Sequence, residues 1–228
     1  MRSLLLLVLL VSHVCAAPAK RTCRILFLGP PPGAPRSLHL FDGARWQEVE
    51  LAGMNFSDVY EIAGGDTTLR LLDAPAASPE EIPADAPAGE VPAAAEDIYI
   101  IATSDPSNKR VPVRMQIIDA GAKKFKQGQM MWYNLTGNAV GGQVGEHKLA
   151  MKARSREIID PPASGNEAYD VVLSYKLPDD ERFHPICQTK WLHDPRSRMM
   201  VLVHGGVGNT TPQIAGFKDF RLPADNDG

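Results

Sequence analysis

The sequence predicts an all-β protein of sandwich type. Three observations carry the prediction. Short apolar runs rich in Val, Ile, Leu, Tyr and Trp recur at near-regular spacing; Gly, Pro and Asp-Gly turn signals separate them; and no window of eleven residues repeats its apolar positions with a helical period. Glycine and proline, 19 each among 228 residues, supply the turns. Many short strands without helices are satisfied by antiparallel sheets packed face to face or closed on themselves.

The elements follow in order. Arg2, the run Leu4–Val11 and the small residues up to Ala19 form a secretory signal peptide, with cleavage near Ala19. The run is too short for a membrane span, which needs roughly 20 apolar residues. A first β module occupies residues 20–72. Its strands are Cys23–Leu28, Ser37–Phe41, Arg45–Leu51, Asp58–Ile62 and Thr67–Leu72, with hairpin signals at Asp42-Gly43 and Gly64-Gly65. Residues 73–97 hold nine Ala, five Pro, seven acidic residues and no basic one, which predicts a disordered, solvated linker. A second module spans 98–220, with strands at 98–102, 111–118, 129–135, 139–144, 148–151, 156–159, 169–175 and 199–204, and a weaker one at 182–191 interrupted by Pro185. Residues 221–228 form a tail.

Charge sharpens this division. The whole chain carries 24 basic and 27 acidic residues, so nothing in the total favours nucleic acid as a partner. Without Arg2 the mature chain has 23 basic residues against the same 27 acidic ones, and the net acidity resides in segment 73–97. No further stretch approaches membrane length. The expected location is therefore secreted or periplasmic. Removing the signal also removes Cys15, leaving Cys23 and Cys187 with one pairing available to them in an oxidising compartment. Such a bridge would close a long loop, stabilising by up to about 5 kcal/mol in the chain-entropy treatment. The competing reading is two buried free thiols.

The N-terminal block, through Arg24–Leu28, Pro30–Pro35, Leu38–Gly43 and Tyr60–Leu72, resembles secreted immunoglobulin-like β-domains. Through Phe125-x-x-Gly128, Tyr133-Asn134-Leu135, Trp191 and the apolar strand after Arg198, the C-terminal block is similar to uncharacterised secreted bacterial β-sandwich proteins. The resemblance implies a fold and a compartment and brings no activity with it.

Several patterns invite chemistry. His204-Gly205-Gly206 is similar to the oxyanion segment of α/β-hydrolases, but no Gly-x-Ser-x-Gly occurs and the 22 residues after Gly206 contain no serine. His147 followed by Cys187-x5-His193-x5-Met199 is similar to the copper ligands of cupredoxins, where two imidazoles and a thiolate with a weak axial thioether suit copper. A Cys187 bridged to Cys23 cannot serve there, and the plainer reading is a structural cysteine with surface histidines. His184 adds a third donor to the Cys187–His193 stretch without the paired spacing of a zinc site. Asp179-Asp180-Glu181, like Asp225 with Asp227, offers calcium-type oxygens without a recognised loop.

Lys152, Arg154 and Arg156 alternate, which on a strand places them on one face fit for an anionic glycan or envelope polymer. Trp46, Trp132 and Trp191 would form a sugar-stacking platform if exposed and core if buried. Asn55, Asn134 and Asn209 stand in Asn-x-Ser/Thr sequons, and Asn134 follows an apolar run that favours packing at a strand end. Together these readings predict an exported, non-catalytic binding or structural module without a cofactor, partnered by an envelope polymer, a glycan or another exported protein. Copper-dependent electron transfer and anionic-glycan binding are the alternatives.

Overall fold

A computed structural model describes residues 21–205 and 211–220; the signal segment, the tail 221–228 and Asn209 lie outside the described residues. The protein is all-β. Its first half builds β1 (Arg21–Leu28), β2 (Ser37–Phe41), β3 (Trp46–Glu50), β4 (Tyr60–Ile62), β5 (Thr67–Leu72), β6 (Ala88–Val91), β7 (Asp97–Ser104) and β8 (Val113–Asp119). The second half builds β9 (Met130–Asn134), β10 (Ala139–Val144), β11 (His147–Met151), β12 (Arg156–Ile159), β13 (Ala168–Lys176), β14 (Phe183–Leu192), β15 (Ser197–Gly205) and β16 (Pro212–Phe220). The expected strands 37–41, 67–72, 139–144 and 156–159 match to the residue.

These strands form four four-stranded sheets, ordered β3-β2-β5-β6 (sheet I), β4-β1-β7-β8 (sheet II), β12-β9-β15-β16 (sheet III) and β11-β10-β13-β14 (sheet IV). Adding eight to each strand number of sheets I and II reproduces the orders of sheets IV and III. The chain is thus a tandem repeat of one eight-stranded sandwich topology. In each copy the first and seventh strands run parallel at the centre of a sheet, β1 with β7 and β9 with β15.

The apolar patterning explains the layering. β13 alternates exposed and buried residues along most of its length, as a strand with one wet face must. β1, β7, β9 and β15 instead carry nearly continuous apolar runs, because both of their faces are covered. Ile25, Phe27, Ile98 and Ile100 face sheet I in the first core. Trp132, Val201 and Val203 face sheet IV in the second. The opposite faces meet one another in a third core that joins Leu26, Tyr99 and Ile101 to Met131, Met200, Leu202 and Phe217. The sheets therefore stack I-II-III-IV.

Segment 73–97 is not a disordered linker. It contributes one turn of 3₁₀ helix (Pro79–Glu81) and β6, which pairs with β5, and it buries Ala86, Val91 and Ala95. Composition misleads here because long-range partners satisfy its backbone. The buried Arg21 guanidinium donates to the carbonyls of Pro92 and Ala93 as well as Gly65, and the Ala93 N–H donates to Asp66. Asn108 likewise holds the Asp85 carbonyl. The boundary between the two sandwiches accordingly falls after β8, not at residues 73–97. Strands β6 and β16 both lie where no strand was expected.

The seam between sheets II and III is closed at one end by charge. Asp219, on β16, is 0% exposed. Its carboxylate accepts from Arg24 on β1, from the Arg198 guanidinium at 2.7 Å and from the Tyr99 hydroxyl at 2.5 Å. Arg198 also donates to Asp97 and to the carbonyls of Ala120 and Phe125. Buried charge is tolerated only when paired and hydrogen-bonded, and here both halves of the chain supply the partners.

Candidate functional site

At the opposite end of the seam the four central strands finish together. β1 runs out at Leu28-Gly29, β7 at Thr103-Ser104, β9 just before Leu135, and β15 at His204-Gly205. Their ends enclose a cleft of about 530 Å³. Arg114 and Gln116 enter it from β8, Gln213 from β16, and Arg154 from the turn between β11 and β12. Both halves of the chain therefore build its walls.

Leu28, Ile101, Met115 and Leu135 provide the apolar part of the lining. The Gln116 amide donates to the Tyr133 hydroxyl across the seam. Arg114 pairs with Asp105 at 3.0 Å, and the Ser107 hydroxyl, then Arg114, hold the Asp105 carboxyl below the usual range. Neither the Arg154 guanidinium nor the His204 imidazole has a hydrogen-bond or ion-pair partner among the described residues. Among the described residues no carboxylate lines the cleft.

Arg154 is set by local structure. It is the single non-glycine residue among those described with positive φ, at 57°. Such a backbone costs an L-residue about 1 kcal/mol or more. The turn is pinned from beneath by Asn134, which is 0% exposed. The Asn134 Nδ2 donates to the carbonyls of Lys152 at 2.9 Å and Asn138 at 2.7 Å, while its Oδ1 accepts from the Thr136 N–H and hydroxyl. The Arg154 N–H then donates to the Thr136 carbonyl. With both amide hydrogens engaged, Asn134 leaves no room for a glycan; Asn55 is exposed.

The expected basic strand face does not exist. β11 stops at Met151 and β12 begins at Arg156, so the intervening residues turn and the three cations diverge. Arg154 enters the cleft, Lys152 borders the outer face of sheet IV, and Arg156 lies on β12 opposite Tyr133. The tryptophans do not form a platform either. Trp46 is half-buried in the first sandwich and packs on Phe41 at 4.9 Å. Trp132 is wholly buried in the second core, stacked parallel to Trp191 with ring centroids 5.8 Å apart.

Cys23 and Cys187 are free and not bridged. Cys23 is buried in the first core on β1, where burial first, then the charges of Asp97 and Asp42, push its thiol up to about 12. Cys187 sits on β14 against the second core. The copper set does not assemble, since among the described residues no three His, Cys, Asp or Glu side chains are grouped to hold a metal ion. The spacing reads as a ligand loop, but β14 and β15 belong to opposite sheets. Cys187 stays on sheet IV while Met199 pairs with Met130 in sheet III. His147 instead approaches the Pro161 carbonyl at 3.4 Å, and His193 is buried. Asp180, a calcium candidate by sequence, is taken by Arg182 and then His184, which hold its carboxyl down to about 2.

The cleft residues Thr103, Ser104, Arg114, Gln116, His204 and Gln213 were not singled out from sequence as a set. A signal existed: four of the cleft's corners lie immediately beyond the continuous apolar runs that mark doubly covered strands. No helix among the described residues is long and apolar enough to cross a membrane. No protein-family model and no curated protein matches the chain.

Proposed function

We propose that this protein is an exported, non-catalytic binding module whose ligand sits in the cleft at the open end of the seam. The observation that carries the reading is the unpaired Arg154 guanidinium, held at positive φ and presented to a cavity walled by both sandwiches. The volume falls within the range of roughly 300–1,000 Å³ usual for ligand pockets, and inter-domain seams are a preferred place for them. An apolar lining with a few convergent polar groups is the usual composition of such sites. The signal segment Arg2–Ala19 supports export.

The test is calorimetric titration of the mature protein with a panel of envelope polymers and oligosaccharides, repeated on Ser104→Trp. Ser104 is exposed at the cleft wall, so the indole fills the cavity without entering a core. Binding by the natural protein and its loss in the variant support the reading. Binding unchanged by the indole overturns it.

A further inference from the structure

Resting on the cleft as the binding site, we infer that its ligand is an acidic saccharide, with carboxylate or sulfate groups paired to Arg154 and Arg114. The charge of the lining is one-sided: it holds two guanidiniums and, among the described residues, no Asp or Glu. Asp105 engages Arg114 from the edge, which leaves Arg154 uncompensated. A guanidinium presents five donors in a planar fork that matches carboxylate or sulfate oxygens in pairs. A lone inorganic anion would satisfy that fork and leave the rest of an approximately 530 Å³ cleft unused.

The remaining polar lining suits hydroxyl-rich rings. Thr103 and Ser104 bring hydroxyls, and Gln116 and Gln213 bring amides, so both donors and acceptors are present. The apolar Leu28 and Leu135 give the C–H faces of a sugar ring a surface to cover. Cation surplus, hydroxyl partners and apolar patches within one cavity are what an acidic saccharide uses together. The acidic group supplies the discrimination, because the exposed Arg154 guanidinium has, among the described residues, no anionic partner of its own to give up and a neutral competitor offers it none.

The experiment compares an oligogalacturonate, a heparin-derived hexasaccharide and neutral maltohexaose by calorimetry on the mature protein, Arg154→Gly and Ser104→Trp, with sodium sulfate as competitor. Glycine accepts the φ of 57° without strain, so Arg154→Gly removes the charge while keeping the turn. Its thermal midpoint is measured alongside to show that the fold is intact. The expected result is binding of at least one acidic saccharide, weakened about tenfold or more in Arg154→Gly, weakened by added salt and lost in Ser104→Trp. The carboxylated and sulfated arms separate the two sources of negative charge.

Three outcomes overturn the inference. If maltohexaose binds as well as the acidic ligands and is lost only in Ser104→Trp, the cleft stands as a site but its acidic specificity fails. If sulfate alone displaces the saccharide at equal concentration, the cleft is a free-anion site. If the acidic ligands bind Ser104→Trp unchanged, both the cleft and its specificity fall.

Discussion

Replacing Asp219 by alanine tests what fastens the two sandwiches together. Its carboxylate accepts hydrogen bonds from Arg24, Arg198 and Tyr99 in a site closed to water. Each hydrogen bond to a charged group is worth about 1.5–3 kcal/mol, but removing a buried carboxylate also relieves its own desolvation. The remainder is set by Arg198, which is 5% exposed and, among the described residues, keeps only Asp97 as an anionic partner. Stripping one member from a buried pair costs about 3–5 kcal/mol, a large share of the roughly 5–15 kcal/mol that holds a domain folded. The assay is urea denaturation with linear extrapolation, run on the natural protein, Asp219→Ala and the double variant Arg198→Met with Asp219→Leu. Two apolar side chains remove the two most deeply buried charges and leave Arg24 and Asp97, whose side chains are 18% and 14% exposed and so reach water, so the double variant is expected to lie closer to the natural protein than the single one does. A cost below about 1 kcal/mol for Asp219→Ala, or a double variant less stable than the single, would refute the argument.

Three further expectations follow from the same packing. Burial first, with Lys218 adding and Asp194 opposing, pushes the His193 imidazole below its ordinary value, so the unfolded chain takes up a proton that the folded one refuses. The urea midpoint therefore falls as pH drops below about 6.5, and His193→Gln shows a shallower fall between pH 7.5 and 5.5; parallel profiles would count against a neutral buried ring. Asn134→Ala removes four hydrogen bonds and is expected to cost about 2–4 kcal/mol in the same denaturation assay. A chain ending at Ala122 uncovers Leu26, Tyr99, Ile101 and Ile118, each worth about 1.5–3 kcal/mol in burial, and should aggregate or lack a cooperative thermal transition; a soluble, cooperatively melting half would show that the seam is dispensable.

The fold was legible where the local pattern and the tertiary environment agree. Ser37–Phe41 and Thr67–Leu72 sit between strong turn signals, and both were placed to the residue. β6 was invisible because Ala-Gly-Glu-Val carries no strand pattern; its order comes from pairing with β5 and from Arg21, far away along the chain, which holds the Pro92 and Ala93 carbonyls just beyond it. β16 was hidden by Ala215-Gly216, which interrupts the apolar alternation of Pro212–Phe220 with two residues of little strand propensity. The difference between the alternating β13 and the continuous β7 already encoded the four-layer stack, although alternation and continuity both read simply as strand. The site was less legible for a geometric reason. Lys152, Arg154 and Arg156 have the spacing of a strand face, and nothing in Ala153-Arg154-Ser155 announces a left-handed turn, because the hydrogen bonds that impose it come from Asn134 and Thr136. Sequence spacing likewise cannot say that Cys187 and Met199 belong to opposite sheets.

The tandem repeat and the cleft have one cause. A sandwich with a parallel pair at the centre of one sheet carries apolar side chains on both faces of that sheet, and one of those faces needs a cover. A second copy of the same topology brings an identical face, so the two meet as sheets II and III. β1, β7, β9 and β15 then all run out at the cleft end, while Asp97, Arg198 and Asp219 gather at the other. The cleft belongs to neither copy: Arg114 comes from the first, Arg154 and His204 from the second. A ligand that bridges them binds only while the two sheets hold their spacing, so its affinity is linked to the integrity of the seam. Under the proposed function, the charge cluster at the closed end would support binding without touching the cavity. Loosening it through Asp219 should weaken the ligand's hold even though every side chain in the cleft is unchanged.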